Sequence, residues 1–352
     1  MTAAVSRMFE TCLPGLAPLV REQLGQLPGI RVTDSGFDGR ADVVLFEADQ
    51  GRRDSALALR TTEDVFVEAG RADRAGSDNP RRIAAALWRP QPVQRALSIW
   101  AGYKRPLAGA MSFRIVTRVL SEKAFRRTEL RQRLTETIRQ TRRRWAVADP
   151  AQLEIWACEY RPGRLIAGLR LSDASMRRHG GRTLERSGAL RPTLAAAMVG
   201  LAGEPPGVML DPCCGSGTIL AEATAAGWTA TGTDIDPAAV AIARANVPEA
   251  TVQVGDALHM SIPDASVTAC VTNLPFGRQY RIQGEMKAWL RTLLHEVARV
   301  TKPGGHAVLL APVIPQPIVP PSLKPAGAFP IRLLGMDTTI WWYQRDASAP
   351  IR

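Results

Sequence analysis

Asn273-Leu274-Pro275-Phe276 follows the apolar run "VTACV" and Thr272. These four residues bring an amide, a backbone carbonyl and an aromatic ring together within a short stretch. The set suits a planar group that carries N–H: the oxygens accept its hydrogens and the ring stacks on its face. It equally suits an ordinary exit from a strand, so its meaning depends on what surrounds it. Upstream, "LDPCCGSGTILAEA" places Asp211 and Cys213 ahead of Gly215 and Gly217. Those glycines allow a tight turn and close backbone approach to a ligand, and a following helix would offer free N–H groups. The spacing is not G-x-G-x-x-G, because Leu220 stands three residues after Gly217, and a phosphate-loop lysine is absent. An acid and a small-residue turn suit a ligand with an amino-acid end better than a pyrophosphate. Two more acids close extended runs, Asp234 after "TATGT" and Asp256 after "TVQVG". In a doubly wound fold, an acid at the second strand tip holds a ribose diol. Asp256, followed by Ala257, falls where an adenine edge would lie, its carboxylate able to accept from an exocyclic amine.

The elements that must position these residues form a strand and helix alternation from residue 193 onward. Strands are expected at 207–211, 229–234, 251–256, 267–273 and 305–311, with helices at about 217–226, 237–246 and 285–301. Asp236 reads as a helix cap before Pro237, and Thr193 as the cap of the helix "TLAAAMVGLAG". The pattern predicts an α/β domain, a Rossmann-like doubly wound sheet. Residues 331–346 add an antiparallel hairpin at its edge. The proline-rich 312–330 stretch reads as an irregular crossover loop.

The N-terminal half is different in kind. Short strands and a helix over 16–27 make up residues 1–70, a ferredoxin-like α+β piece. A polar break near 71–82 opens a second block, 71–172, with a strand over 111–119, a helix over 127–145 and a hairpin across Arg161-Pro162-Gly163. In that helix Leu130, Leu134, Ile138 and Trp145 lie within about 80° of one another at 100° per residue. Arg131, Arg133, Arg139, Arg142, Arg143 and Arg144 fall off the stripe. The segment 173–192 reads as a linker before the domain at 193–352. Residues 1–190 hold 33 Lys+Arg against 21 Asp+Glu, and residues 191–352 hold 12 of each, so the net charge of +12 lies entirely in the first half. One half is thus expected to meet a polyanion while the other does chemistry. The candidate contacts are Arg126, Arg127, Arg131, Arg142, Arg143, Arg144, Arg177, Arg178 and Arg182.

The remaining composition sets limits. Five scattered cysteines without a C-x-x-C pair and four dispersed histidines argue against disulfides and a metal site, and favour a reducing cytoplasm. An acid and a Pro-Gly break stand where a signal peptide needs an apolar core, and no run is long enough to span a bilayer. Oligomeric state is not readable; a monomer is the working expectation.

The order "DPCCGSGT", "GTDID", "GDA", "TNLPFG" resembles the class I S-adenosylmethionine-dependent methyltransferases, and among them the THUMP-domain RNA methyltransferases. The resemblance is strong over 190–345 and weaker over 8–172. It is nearest to the tRNA guanosine-N2 enzymes and implies methylation on the acceptor-stem side, with the THUMP half gripping the tRNA 3′ end. It implies that Asp211, Cys213, Gly215 and Gly217 line the methionine end of the cofactor, with Thr193 in the same set. Asp234 would take the ribose hydroxyls, and Asp256 with Ala257 the adenine. Asn273 and the Leu274 carbonyl would hold the target amine, followed by Pro275, while Phe276 stacks on the base. Leu274 replaces the proline common at that place in the wider amine-methylating class, which leaves the identity of the base open. Asn at 273 provides no carboxylate for the proton. Competing readings are an adenine-amine methyltransferase acting on DNA or rRNA, and an RNA-binding protein that keeps the fold without the chemistry.

Overall fold

Two compact units, Met1–Arg177 and Arg178–Arg352, make up the computed structural model. It describes residues 5–74, 78–104, 110–173, 175–180, 184, 188–275, 286–333 and 335–348.

The first unit contains β1 (Ser6–Cys12), α1 (Ala17–Gln26), β2 (Ile30–Phe37), β3 (Asp42–Ala48), α2 (Arg53–Leu57) and β4 (Asp64–Asp73). It continues with α3 (Pro80–Leu87), α4 (Pro90–Tyr103), β5 (Ser112–Arg118), α5 (Arg127–Thr141), β6 (Ala146–Val147), β7 (Leu153–Arg161) and β8 (Arg164–Arg170). Its strands form one eight-stranded sheet in the order β2-β3-β1-β4-β8-β7-β5-β6. The division expected at residue 70 therefore falls inside β4, which pairs with β1 on one side and β8 on the other. Strand β4 keeps its pairing with β8 through Arg71, Ala72 and Asp73, where the polar composition reads as a break, so local composition misplaces the division. Helices α3 and α4 escaped the sequence reading. Asn79 starts α3 by accepting the Arg81 N–H at 2.9 Å, and Pro80 and Pro90 sit where a missing N–H costs nothing. They bury Ile83, Leu87, Val93, Leu97 and Trp100. Helix α5 stops at Thr141, earlier than expected, so Arg143 and Arg144 stand in the turn beyond it while Trp145 packs 6.2 Å from Phe113.

A short helix α6 (Ser175–Arg178) precedes the elements of the second unit: α7 (Pro192–Gly200), β9 (Val208–Asp211), α8 (Thr218–Ala225), β10 (Thr229–Asp234), α9 (Pro237–Asn246) and β11 (Thr251–Val254). Then come β12 (Val267–Asn273), α10 (Met286–Val300), β13 (Thr301–Ala311), β14 (Leu323–Leu333) and β15 (Met336–Arg345). The order is β11-β10-β9-β12-β13-β15-β14, parallel from β11 to β13, with β15 and β14 antiparallel. Leu210, Cys270, Leu293, Val297 and Leu309 lie in its core. This is the doubly wound sheet the pattern implied. Two local expectations were wrong. Thr193 is not the cap of α7: Pro192 occupies the first turn, Arg191 precedes it, and no side chain caps the helix. The proline-rich stretch is not all loop, because β14 begins at Leu323 and carries Pro325 and Pro330. Prolines are tolerated there because an edge strand has one side with no ladder bond to lose; the pairing shifts register between Pro325 and Gly327.

Candidate active site

Strands β11, β10, β9, β12 and β13 of the second unit run parallel, so their C-terminal ends lie along one side of the sheet. Read across β11, β10, β9 and β12, those ends present Asp256 just past its strand, then Asp234, Asp211 and Asn273. Three strand spacings of about 4.8 Å make the row roughly 15 Å long. It includes the β9/β12 junction, where the winding of the sheet reverses and such folds leave a crevice.

Hydrogen bonds tie the turn after β9 to the neighbouring strand. Asp211 Oδ1 accepts the Cys213 N–H at 3.1 Å. Asp234 accepts the Gly215 N–H at 2.8 Å through Oδ2 and the Asp236 N–H at 3.0 Å through Oδ1. The Cys214 N–H donates to Thr233 O at 2.9 Å, and the Thr233 hydroxyl to Pro212 O at 3.2 Å. Gly215 and Gly217 both hold left-handed φ, 53° and 84°. A Cβ on Gly215 would meet nothing within 4 Å, whereas one on Gly217 would come 3.3 Å from Val247 Cγ2 and 3.4 Å from Ala243. The two glycines have separate reasons: the second lets α9 pack, and the first leaves open space at the turn. As expected, Asp236 caps α9, accepting the Ala238 N–H at 2.9 Å.

Burial shapes the electrostatics. The Asp211 carboxyl is 1% exposed and is pushed up to about 7 by desolvation, with the Asp234 charge adding, against the Thr272 hydroxyl and the Cys213 N–H. Burial, reinforced by Asp211 and Asp234, pushes the Cys213 thiol well up, so it stays protonated and acts as a small apolar group. Desolvation opposes ionisation of Asp256, but the Leu258 N–H and the His259 ring outweigh it and hold the carboxyl below the usual range. His259 Nδ1 lies 3.1 Å from Asp256 Oδ2. Ala257 is buried behind it.

Other expected residues are placed as follows. Asn273 is half-buried at the tip of β12, and the Leu274 N–H donates to Leu310 O at 3.2 Å. Leu274 itself lies in the core and Pro275 is half-buried. Phe276 falls outside the described residues. Thr193 is buried in α7, and its hydroxyl has no hydrogen-bond partner among the described residues. The sequence reading missed Ile235, which follows Asp234 and is 73% exposed. A large apolar side chain left bare between the acid ending β10 and the acid capping α9 was detectable only as "DID", too short a signal by itself.

The arginines expected to meet a polyanion behave unequally. On the first unit a groove of about 1340 Å³ is lined by Arg40, Arg114, Arg118, Arg127, Arg131 and Arg139, against only Asp38, Glu136 and Asp149. Its floor is β5, whose outer side pairs only at Ser112 and Phe113 with β6. Arg118 is held by Asp38 at 2.6 Å and Arg114 by Glu154 at 2.5 Å, whereas Arg40, Arg131 and Arg139 are exposed. Arg126, Arg143 and Arg144 are exposed as well; Arg142 lies over the Trp145 ring and donates to Gln94 at 2.7 Å. Arg177 is engaged by the buried carboxylate of Asp64, which occupies it with an internal contact. Arg178 is exposed in the second unit, and Arg182 falls outside the described residues.

Among the described residues no group of three or more His, Cys, Asp or Glu could hold a metal ion, and no helix is long and apolar enough to cross a membrane.

Residues 179–315 match the family model of the RMKL-like methyltransferase domain. The bovine (Bos taurus) U6 snRNA (guanine-N(2))-methyltransferase THUMPD2 is 34% identical over 136 residues, covering 36% of this chain and 26% of that protein. The bovine tRNA (guanine(6)-N(2))-methyltransferase THUMP3 is 32% identical over 173 residues, covering 42% and 33%. The matched stretches thus span between 26% and 33% of these curated relatives. In fold, the crystal structure of TrmN from Thermus thermophilus is similar with a TM-score of 0.76, 23% identity and coverage of 97% of this chain and 100% of that one. A possible methylase from Clostridium difficile 630 is similar with a TM-score of 0.68, 14% identity and coverage of 99% and 100%. The glycine turn, the three acidic strand ends and Asn273 all lie within residues 179–315, the stretch that matches the RMKL-like methyltransferase domain.

Proposed function

We propose that this chain transfers a methyl group from S-adenosylmethionine to the exocyclic amine of a guanosine in tRNA, on the acceptor-stem side. The observation that carries the reading is the row Asp256, Asp234, Asp211 and Asn273 on one side of a parallel sheet, beside a turn opened by Gly215. The activities for which the matched relatives are named agree with guanine N2 as the acceptor.

The residues present fit the cofactor. Asp234 keeps acceptor capacity beyond its two backbone N–H bonds and would hold the ribose hydroxyls. Ile235 would cover the adenine face, with Asp256 accepting from its amine and Ala257 closing one side. The protonated Cys213, Asp211 and the Thr193 hydroxyl, which has no partner among the described residues, would surround the methionine end, with the turn of Gly215 and Gly217 against it. When bound, S-adenosylmethionine supplies an electrophilic methyl on a sulfonium.

An exocyclic amine is a poor nucleophile because its lone pair is delocalised into the ring. The Asn273 side-chain oxygen and the Leu274 carbonyl would hold its hydrogens and turn that pair outward. Catalysis then rests on positioning and on oxygens aimed at the developing positive charge. Because residue 273 is an amide, the proton leaves to water after transfer. The base must leave its stack, at a cost of a few kcal/mol, and Phe276 is placed by the sequence to offset part of it. Arg126, Arg127, Arg131, Arg143 and Arg144 supply the RNA-binding charge, together with Arg40 and Arg139 of the groove. Five free cysteines fit a reducing cytoplasm, where the protein would act as a monomer.

The test is to incubate the protein with bulk tRNA and labelled S-adenosylmethionine, digest the RNA and identify the labelled nucleoside by mass spectrometry. N2-methylguanosine is expected. Label in adenosine, or none from a protein that binds the cofactor, overturns the proposal.

A further inference from the structure

We infer that Asn246 is a positioning residue for the cofactor turn, and that it ties Leu184, ahead of α7, to that turn. The inference rests on the cofactor reading above.

Asn246 is the last residue of α9 and is 8% exposed. Its amide group bridges two stretches of backbone far apart in sequence. Nδ2 donates to Ser216 O and to Leu184 O, both at 2.9 Å, and Oδ1 accepts the Leu184 N–H at 3.2 Å. Leu184 thus exchanges both its backbone groups with one side chain, as two paired strands would. Its own side chain is 47% exposed, so the backbone bonds do the holding. Ser216 lies between Gly215 and Gly217, both left-handed. Glycine torsions are soft, and local sterics leave the orientation of that peptide undetermined. The Gly217 N–H donates to Cys214 O at 2.8 Å on one side of that peptide, and the buried Asn246 donor on Ser216 O fixes the other. Gly217 adds a second constraint, packed against Ala243 and Val247 on the same side. Helix α9 therefore supports the turn twice, once by shape and once through this amide.

His179, five positions before Leu184, makes a separate contact with α8. His179, in a left-handed conformation, sets Nδ1 2.9 Å from Glu222 Oε1 on α8, with both side chains buried. That contact joins His179 to α8, whereas Asn246 bonds both Leu184 and Ser216 and so acts on the turn through the Ser216 carbonyl. Linkage then requires that whatever steadies the turn also steadies the Leu184 bonds.

Asn246→Asp changes one atom group and no shape. It removes both donated bonds and turns a carboxylate toward two carbonyl oxygens. By calorimetry with S-adenosylhomocysteine as the probe, Kd is expected to rise at least about tenfold, from the two lost bonds. Glu222→Gln, which keeps a partner for His179 and leaves Ser216 alone, is expected to stay within about twofold of the parent. In the unsubstituted protein the probe should slow hydrogen exchange at the Leu184 amide, a readout that needs no variant to fold. An unchanged Kd in a folded Asn246→Asp, an equal loss in Glu222→Gln, or Leu184 exchange indifferent to the probe overturns the inference. If the unsubstituted protein binds no probe at all, the cofactor reading is what fails.

Discussion

Asp234 Oδ2 accepts the Gly215 N–H at 2.8 Å, so the acid at the end of β10 also fixes the turn that follows β9. One carboxylate serves two strands, which makes it sensitive to substitution in a specific way. Asp234→Ala is expected to leave the sheet folded, since the side chain lies at its rim, and to weaken S-adenosylhomocysteine binding by roughly a hundredfold. Charge-assisted bonds are worth about 1.5–3 kcal/mol each, and both the turn and the diol lose one. Calorimetry with a circular-dichroism melt checks both halves; binding within a few-fold of the parent would free the ribose from this residue.

Asp211 makes stability depend on pH in an unusual direction. Its folded value of about 7 stands above the ordinary 3.8, so between those values the folded chain holds a proton that the unfolded chain has released. Its contribution is fully present below about pH 4 and is lost as pH rises through 7. Asp211→Asn cannot titrate. The melting temperature of the parent relative to Asp211→Asn should therefore fall between pH 5 and pH 8. A difference that stays constant, or grows, would contradict the burial assigned to this carboxyl.

Asn273→Ala separates binding from chemistry. Asn273 is half-buried at the end of β12, and the Leu274 N–H is tied to β13, so the truncation should leave the strand end in place. Methyl transfer should drop by on the order of 100- to 1,000-fold, the usual cost of one such oxygen, while the cofactor Kd moves little. Single-turnover rates at saturating cofactor give the answer, and full activity would remove Asn273 from the mechanism.

Replacing Arg142, Arg143 and Arg144 together by alanine should weaken tRNA binding and flatten its salt dependence. Each lost phosphate contact lowers the log–log slope by about 0.7–0.9. Arg142 already lies over Trp145 and bonds Gln94, so most of the change should come from Arg143 and Arg144. Titration at three or more salt concentrations measures the slope; an unchanged slope would move the RNA surface away from this turn, toward Arg131 and Arg139 in the groove.

Much of this protein was legible in the residues. Alternation of extended and helical periods, the glycine turn at 215–217 and the acids ending each run are local features, and from them alone Asp211, Asp234, Asp256 and Asn273 are expected on one side of a doubly wound sheet, where the fold has them. Other properties depend on groups distant in the chain, and there local patterns were silent or misleading. The continuity of β4 between β1 and β8 is a matter of strand partners, invisible in a stretch that looks like a domain break. Pro325 and Pro330 argue against a strand until the fold makes theirs an edge. The raised Asp211 carboxyl comes from lost water, and Arg177 is drawn to an acid 113 positions away. Periodicity and turn chemistry reach only a few residues, whereas pairing and dehydration are set by whatever the folded chain brings alongside.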